Sequence, residues 1–217
     1  MTGIESKAVR RWERRKEARP SELTAAALAL FVERGFAATR LEDIAARAGV
    51  SKGTLYLYFD GKEELFKAVV REGLVPALAE GEKLIAEWDG SSAELMRRLM
   101  LGWWQLIGST PLGGIPKLII AEARNFPEIA RFYVEEVITR GQALVAQALQ
   151  RGIAAGEFRG GDPATLVHLV FSPLLMRVVW MHSLDCCEAS PLAAERFLDE
   201  VIDFVLRGLG APPASKH

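Results

Sequence analysis

One stretch constrains the fold more than any other: residues 39–62 have the pattern of two short helices joined by a tight turn. Gly49 stands where a helix ends in the left-handed conformation, which glycine adopts without a Cβ penalty. Ser51 is placed to cap the second helix, and Leu55 and Phe59, four residues apart, give that helix a buried edge. This spacing predicts a helix-turn-helix, whose second helix fits a DNA major groove.

The residues around this turn predict a further local contact and a recognition surface. Thr39 and Glu42 form a capping-box pattern, in which the hydroxyl and the carboxylate each satisfy a backbone N–H at the start of the first helix. On the second helix, Gly53 allows close backbone approach to DNA. Lys52 and Thr54 can hydrogen-bond to base edges or phosphates.

The same region resembles the DNA-binding domain of the tetracycline-repressor (TetR/AcrR) family of bacterial regulators. The resemblance is carried by Gly-Phe-x-x-Thr at 35–39, Asp-Ile-Ala at 43–45, AGVSKGTLY at 48–56 and YF-x-x-KEEL at 58–65. It extends without gaps from about 28 to 66. The rest of the chain resembles the family in its layout of helices.

The resemblance implies a set of DNA contacts. Tyr56, Tyr58 and Lys62 match positions that usually contact backbone phosphates, while Leu57 can meet a thymine methyl group. Arg40 departs from the family, which more often has a small hydroxyl residue there, and would add a phosphate contact. The residues expected to contact DNA are Thr39, Arg40, Lys52, Gly53, Thr54, Tyr56, Leu57, Tyr58 and Lys62.

Charge is distributed unevenly along the chain. Residues 1–62 contain 12 Lys and Arg against 8 Asp and Glu, although the whole chain has a net charge of −1. Seven of these basic residues lie within 7–19. A basic arm beside a helix-turn-helix is typical of phosphate binding, and such arms enter an adjacent minor groove. The alternative is a solvated terminus without DNA contact.

The 217 residues, half of them hydrophobic, suffice for a small domain joined to a larger one. Periodicity near 3.6 recurs and no alternating strand pattern appears, so we predict an all-α protein. With the resemblance, this gives an N-terminal three-helix helix-turn-helix domain at 1–62, and a larger helical ligand-sensing and dimerisation domain at 63–217. Apolar runs end before ~18 residues and no signal peptide is evident. We therefore expect a cytoplasmic protein without a membrane span.

The apolar pattern also predicts the individual helices. Pro76 lacks a backbone donor and clashes with the preceding turn, so a kink is expected near it. The stretch 108–116, rich in Pro and Gly, is predicted to be a loop. The predicted helices are 23–34, 41–48, 52–59, 62–88, 92–107, 117–124, 127–155, 163–183 and 191–208.

The helix at 163–183 is apolar nearly all round, which predicts that it is covered on both sides. One side of this helix is expected to pack against the core of its own subunit, and the other against a second subunit. Together with the last helix it would form a two-fold interface, as in the resembled family. A monomer with a central core helix is the alternative.

Bulky side chains of the middle helices are candidates for a ligand pocket, since aromatic and Met residues commonly line apolar sites. Core packing is the competing interpretation for each of them. Arg177 needs a carboxylate partner, such as Glu122 or Asp199, or an anionic ligand. The candidate ligand-binding residues are Trp103, Trp104, Phe126, Phe132, Tyr133, Met176, Arg177 and Trp180.

His182, Cys186 and Cys187 lie close in sequence, but three ligands at a helix end make a weak metal site. Two free cysteines in a loop are the simpler interpretation. None of the catalytic or nucleotide-binding motifs is present, so neither an enzyme nor a cofactor is expected.

The function implied by the resemblance is a ligand-responsive regulator, most simply a repressor, that binds a palindromic operator in double-stranded DNA as a homodimer. A small hydrophobic or aromatic effector would tilt the helix after Lys62 and change the spacing of the two recognition helices. The competing hypothesis is a helix-turn-helix regulator without a small ligand, controlled by a protein partner or by abundance. Activation in place of repression stays open.

Overall fold

The computed structural model describes residues 20–184, 187 and 193–210. Every regular element within them is helical, which confirms the predicted fold class. The basic arm at 7–19 and Cys186 lie outside the described residues. The α-helices are α1 (20–34), α2 (Leu41–Arg47), α3 (Lys52–Tyr56), α4 (Lys62–Gly73), α5 (Val75–Glu87), α6 (Ser92–Trp103), α7 (Gly114–Glu122), α8 (Pro127–Tyr133), α9 (Thr139–Ala154), α10 (Pro163–Met181) and α11 (Ala194–Gly208).

The chain divides into two compact units, with the boundary between Gly73 and Leu74. The first unit is centred on Phe31, Phe36 and Phe66, whose ring centroids lie 5.2 to 5.9 Å apart. Such tilted and edge-on ring pairs add to the stabilisation that burial of apolar area provides. Because Phe66 belongs to α4, this helix is part of the first unit, whereas the sequence-based division at 62/63 assigned it to the second.

The second unit contains α5 to α11 around one continuous apolar core. Leu95 of α6, Leu149 of α9, Leu174 of α10 and Ile202 of α11 are all fully buried in it.

The stretch 108–116 is not the loop that we predicted. A π-helical turn covers Trp104–Gly108, a 3₁₀ turn covers Pro111–Gly113, and α7 begins at Gly114. The prolines fit because a helix start has no use for the missing N–H. The Thr110 hydroxyl accepts a hydrogen bond from the Leu112 N–H at 3.3 Å, and Ile115 anchors the segment in the core.

The predicted kink near Pro76 appears as a break between helices: α4 ends at Gly73 and α5 begins at Val75, with Pro76 in its first turn. At the start of α6, the Ser91 hydroxyl accepts a hydrogen bond from the Glu94 N–H at 3.2 Å, as the sequence predicted for Ser91 or Ser92. This cap fixes the first turn of a helix that carries part of the site described below.

Helix α10 is, within the described part of the chain, the one helix long and apolar enough to cross a membrane by length and composition. Its apolar sequence is interrupted by Pro173 and Arg177. The same test is passed by core helices of soluble proteins. Here α10 packs against α7, α9 and α11, and its Val170, Leu174 and Val178 are buried.

Candidate DNA interface and ligand cavity

The helix-turn-helix forms through local interactions. Gly49 adopts φ +68°, the left-handed conformation that ends α2. The Ser51 hydroxyl accepts a hydrogen bond from the Thr54 N–H at 3.1 Å and so caps α3. Leu55 is fully buried, which orients the other side of α3 toward solvent.

The outer side of α3 and the residues after it form a surface that we call the recognition surface, in which Thr54 and Tyr58 are half-buried and the others exposed: Lys52, Gly53, Thr54, Tyr56, Leu57 and Tyr58. Leu57 is 81% exposed. It follows Tyr56, the last residue of α3, so this helix is shorter than the predicted 52–59. A Cβ at Gly53 would meet only the Ser51 hydroxyl, at 3.8 Å. Arg40, the residue before α2, is also exposed. This surface is available to DNA, and base contacts by its members remain predictions.

Lys52 has a competing partner in the protein alone. Its ammonium donates a hydrogen bond to the Glu42 carboxylate, and it lies 5.7 Å from the centroid of the Tyr56 ring. The Lys52 hydrogen bond lowers the pKa of Glu42, so this carboxylate is ionised at neutral pH. For Lys52 to bind a base or a phosphate, its ammonium must therefore leave the Glu42 carboxylate.

The predicted capping box does not form. Arg40, not Thr39, occupies the N-cap of α2 and makes no side-chain cap. The buried Thr39 hydroxyl donates instead to the carbonyls of Gly35 at 2.7 Å and Leu30 at 3.2 Å. It thereby ties the start of α2 to the last turn of α1 and to Gly35, which follows that helix.

Lys62 has a comparable role within the first unit. Its ammonium donates to the carbonyls of Phe36 at 2.6 Å, Thr39 at 3.0 Å and Ala37 at 3.2 Å. It also lies 4.6 Å from the centroid of the Phe36 ring. These contacts join the start of α4 to the segment between α1 and α2, and they occupy the donors that we had assigned to a DNA phosphate.

Replacement of Lys62 by Met should therefore destabilise the first unit. The aliphatic stem is kept, while hydrogen bonds from a charged donor are lost, which costs about 1–3 kcal/mol of unfolding free energy. Urea unfolding followed by circular dichroism measures this loss, with Lys52→Met, at an exposed position, as the control. If Lys62 instead acts mainly on DNA, the Lys62→Met protein will be as stable as the wild type. The slope of log binding constant against log salt concentration will then be smaller by about one unit.

The second unit contains a cavity of about 430 Å³. Its wall is largely apolar and is built from α5, α6, α7, α9 and α10 together with both π-helical turns. Trp103 of α6 and Phe171 of α10 lie on it, with ring centroids 4.7 Å apart. A volume of this order matches sites for small organic ligands.

Two irregularities of the backbone open this space. The π-helical turns Trp104–Gly108 and Val134–Ile138 both contribute wall residues, and π-bulges are frequent at functional sites. Three glycines within helices, Gly81, Gly102 and Gly141, also line the wall. Our sequence reasoning missed these glycines. Their unfavourable placement inside helical patterns was the available signal.

The predicted ligand-binding residues lie in different places. Trp103 and Tyr133 are on the cavity wall, whereas Trp104 is buried in the core beside it. Met176 and Trp180 are exposed on α10. The wall, among the described residues, does not include Phe126, Phe132, Met176, Arg177 or Trp180.

Arg177 lies buried on α10 and is not part of the wall. Glu122 of α7, one of the two partners that we considered, is buried as well, and α7 packs against α10. Glu122 also accepts a hydrogen bond from the Asn125 amide at 3.3 Å. An ion pair of Arg177 with Glu122 remains a prediction that fits the burial of both groups.

His182 follows α10 and belongs to a structural contact. Its carbonyl accepts a hydrogen bond from Lys117 at 2.6 Å, and burial, together with the Lys117 charge, lowers the pKa of its imidazole. Within residues 20–184, 187 and 193–210, no group of three or more His, Cys, Asp or Glu side chains could hold a metal ion. Cys187 is exposed.

An exposed recognition helix in one unit and a ligand-sized cavity in another define a DNA-binding regulator with a separate sensor. The sequence comparisons assign the family. Residues 23–69 match the family described as bacterial regulatory proteins, tetR family, and residues 89–203 match the tetracyclin repressor-like C-terminal domain. The chain therefore belongs to the tetR family of bacterial regulatory proteins. It is a DNA-binding transcriptional regulator and not an enzyme.

Individual relatives agree with this assignment. The transcriptional repressor KstR2 of Mycolicibacterium smegmatis is 26% identical over 200 residues, which cover 92% of this chain and 94% of that protein. The transcriptional regulator RutR of Escherichia coli is 25% identical over 223 residues, covering 95% and 92%. The solved structure of KstR2 of Mycobacterium tuberculosis, described as a ketosteroid transcriptional regulator, matches with a TM-score of 0.69 and 26% identity, covering 88% of this chain and 94% of that one.

Proposed function

We propose that this protein is a cytoplasmic repressor that binds a palindromic operator as a homodimer and leaves the DNA when a small, largely apolar molecule occupies the cavity. The observation that carries the proposal is the cavity of about 430 Å³ in the second unit. A regulator controlled only by a partner or by abundance has no need of such a space, and packed cores rarely contain one. The names of relatives such as KstR2 support repression.

The DNA-binding half of the proposal rests on the recognition surface. In this proposal Lys52, Gly53 and Thr54 read base edges, and Leu57 meets a thymine methyl group. Tyr56, Tyr58 and the exposed Arg40 contact phosphates and so position the protein on the DNA. In this proposal Thr39 and Lys62 act indirectly, by holding α2 and α4 in place, because their polar groups are occupied by backbone carbonyls.

The homodimer rests on apolar side chains that α10 and α11 leave exposed. Leu169, Met176 and Trp180 recur at intervals of seven and four residues, so they lie along one side of α10. Phe204 is exposed on α11, which packs against α10. We call these four residues the paired-helix face. A second copy of the chain would bury this face by two-fold symmetry, with a recognition helix on each copy to match a palindromic site.

Selection of duplexes from a random library tests the proposal. The expected result is a palindromic consensus whose half-sites are about one helical turn apart. The Lys52→Ala variant should give an altered consensus if this side chain reads a base. A screen of apolar compounds for thermal stabilisation, followed by release of the selected duplex, tests the sensor. A non-palindromic consensus would contradict the dimeric mode of binding, and binding of compounds without release would contradict effector control.

A further inference from the structure

Polar groups are unevenly distributed around the cavity. The buried residues of the wall are apolar except Tyr133, while Glu80, Arg98, His168 and Ser172 are exposed and mark its open side, and Gln142 is half-buried. The charge of Arg98 is already engaged, because its Nε lies 3.2 Å from a carboxylate oxygen of Glu94 and its guanidinium lies over the Trp88 ring at 5.2 Å. The open side therefore offers one carboxylate, that of Glu80, and one guanidinium that already has a carboxylate partner, so it has no excess of positive charge that would favour an anionic ligand.

Tyr133 is the exception within the enclosed wall. It ends α8 immediately before the second π-helical turn and is only 6% exposed. Among the described residues, none forms a hydrogen bond with its hydroxyl. Tyrosine hydroxyls at largely buried positions usually have a hydrogen-bond partner. The missing partner is supplied most simply by a molecule in the cavity that this residue lines.

We propose that the effector is a largely apolar molecule carrying an uncharged hydrogen-bond acceptor, such as a ketone or ester carbonyl, and that the Tyr133 hydroxyl donates to this acceptor. This inference rests on the proposed function, since it specifies the ligand of the same cavity. Tyr133 is then a specificity-determining residue, and the surrounding apolar wall supplies most of the affinity.

The ionisation of Tyr133 agrees with a donor role. Burial raises the pKa of its hydroxyl, so the group remains protonated at any physiological pH. A protonated phenol donates well to a carbonyl oxygen. A ligand without an acceptor leaves this hydroxyl unpaired, and a carboxylate beside it must additionally lose its hydration among the buried wall residues, which are apolar apart from Tyr133. Both classes should therefore bind more weakly than a neutral carbonyl compound.

Three probes of similar length test the inference: 2-decanone, 1-decene and decanoate. Their affinities are measured by displacement of the neutral fluorescent dye N-phenyl-1-naphthylamine from the full-length protein. The wild type should prefer 2-decanone to both other probes. In Tyr133→Phe, the affinity for 2-decanone should fall roughly three- to tenfold while that for 1-decene stays constant, because one hydrogen bond is lost without a change in shape. The control Thr165→Val removes an exposed hydroxyl that bonds to Asp162 and does not line the cavity, and it should keep the wild-type preference.

The outcomes separate this inference from the proposed function. A Tyr133→Phe protein that keeps the full preference for the ketone would overturn the role of Tyr133. Tighter binding of decanoate than of 2-decanone, or no binding of any probe, would overturn the assignment of ligand class. If 2-decanone binds through Tyr133 but no bound probe changes affinity for the selected duplex, the anchor is supported and effector control fails.

Discussion

Replacement of both Met176 and Phe204 by glutamate should yield a monomer that binds operator DNA at least ~100-fold more weakly, since two linked half-sites gain this much over one. Met176 is 62% exposed on α10, and Phe204 is 77% exposed on α11. In a dimer these positions become buried, and an unpaired carboxylate in an apolar interface is strongly unfavourable. Sedimentation velocity measures the association state, and titration of the selected duplex measures the loss of affinity.

Conservative replacements at the same positions provide the control. Met176→Leu with Phe204→Leu keeps the face apolar and should remain dimeric with nearly unchanged operator affinity. Because both side chains project from the folded subunit, the double-glutamate variant should keep its helical circular dichroism. A double-glutamate protein that sediments as a dimer would show that the paired-helix face is not the interface.

This face also shows where sequence reasoning reached its limit. Met176 and Trp180 were assigned to the ligand site because they are bulky residues on an apolar helix, yet they lie on the exposed side of α10. Periodicity identifies a side of a helix that avoids water, but the same pattern serves a core, a cavity or a second subunit. Only the packing of the neighbouring helices distinguishes these environments.

The helix-turn-helix was predictable because its determinants are local. Gly49 and Ser51 act on residues within one turn of themselves, so a short motif contains the necessary information. Thr39 and Lys62 behave differently. Thr39 bonds to Leu30, and Lys62 bonds to Phe36, 26 residues earlier. Such contacts depend on tertiary structure. The sequence alone therefore predicted a capping box for Thr39 and a phosphate contact for Lys62, and neither prediction matches the bonds that these residues form.

The cavity was less predictable than the helices around it. Two of the predicted ligand-binding residues, Trp103 and Tyr133, do line it. The wall of the cavity includes π-helical turns and glycines. A regular helix with larger side chains at these positions would occupy the space. A cavity forms where side chains are small or the backbone departs from a regular helix. A search for large aromatic residues therefore finds only part of its wall.

Filling this space from Gly102 should produce a repressor that no longer responds to its effector. Gly102 lies in α6 on the cavity wall, and a Cβ built there meets no atom within 4 Å. The Gly102→Leu side chain can therefore enter the cavity without displacing the core. We expect effector affinity to fall more than ~10-fold, because a filled site excludes the ligand, while leucine gains about 0.5–1 kcal/mol of helix propensity over glycine.

The variant should bind the operator as tightly as the wild type and stay bound at effector concentrations that release the wild type. Any ligand shifts the equilibrium only by its differential affinity for the two states, so exclusion of the ligand removes the shift. Gly102→Ala is the matched control: it gains at least as much helix propensity as the leucine variant but adds a single methyl group, and it should still respond. The measurement is operator titration with and without a compound that releases the wild type. Unchanged release of Gly102→Leu would show that the effector acts from another site.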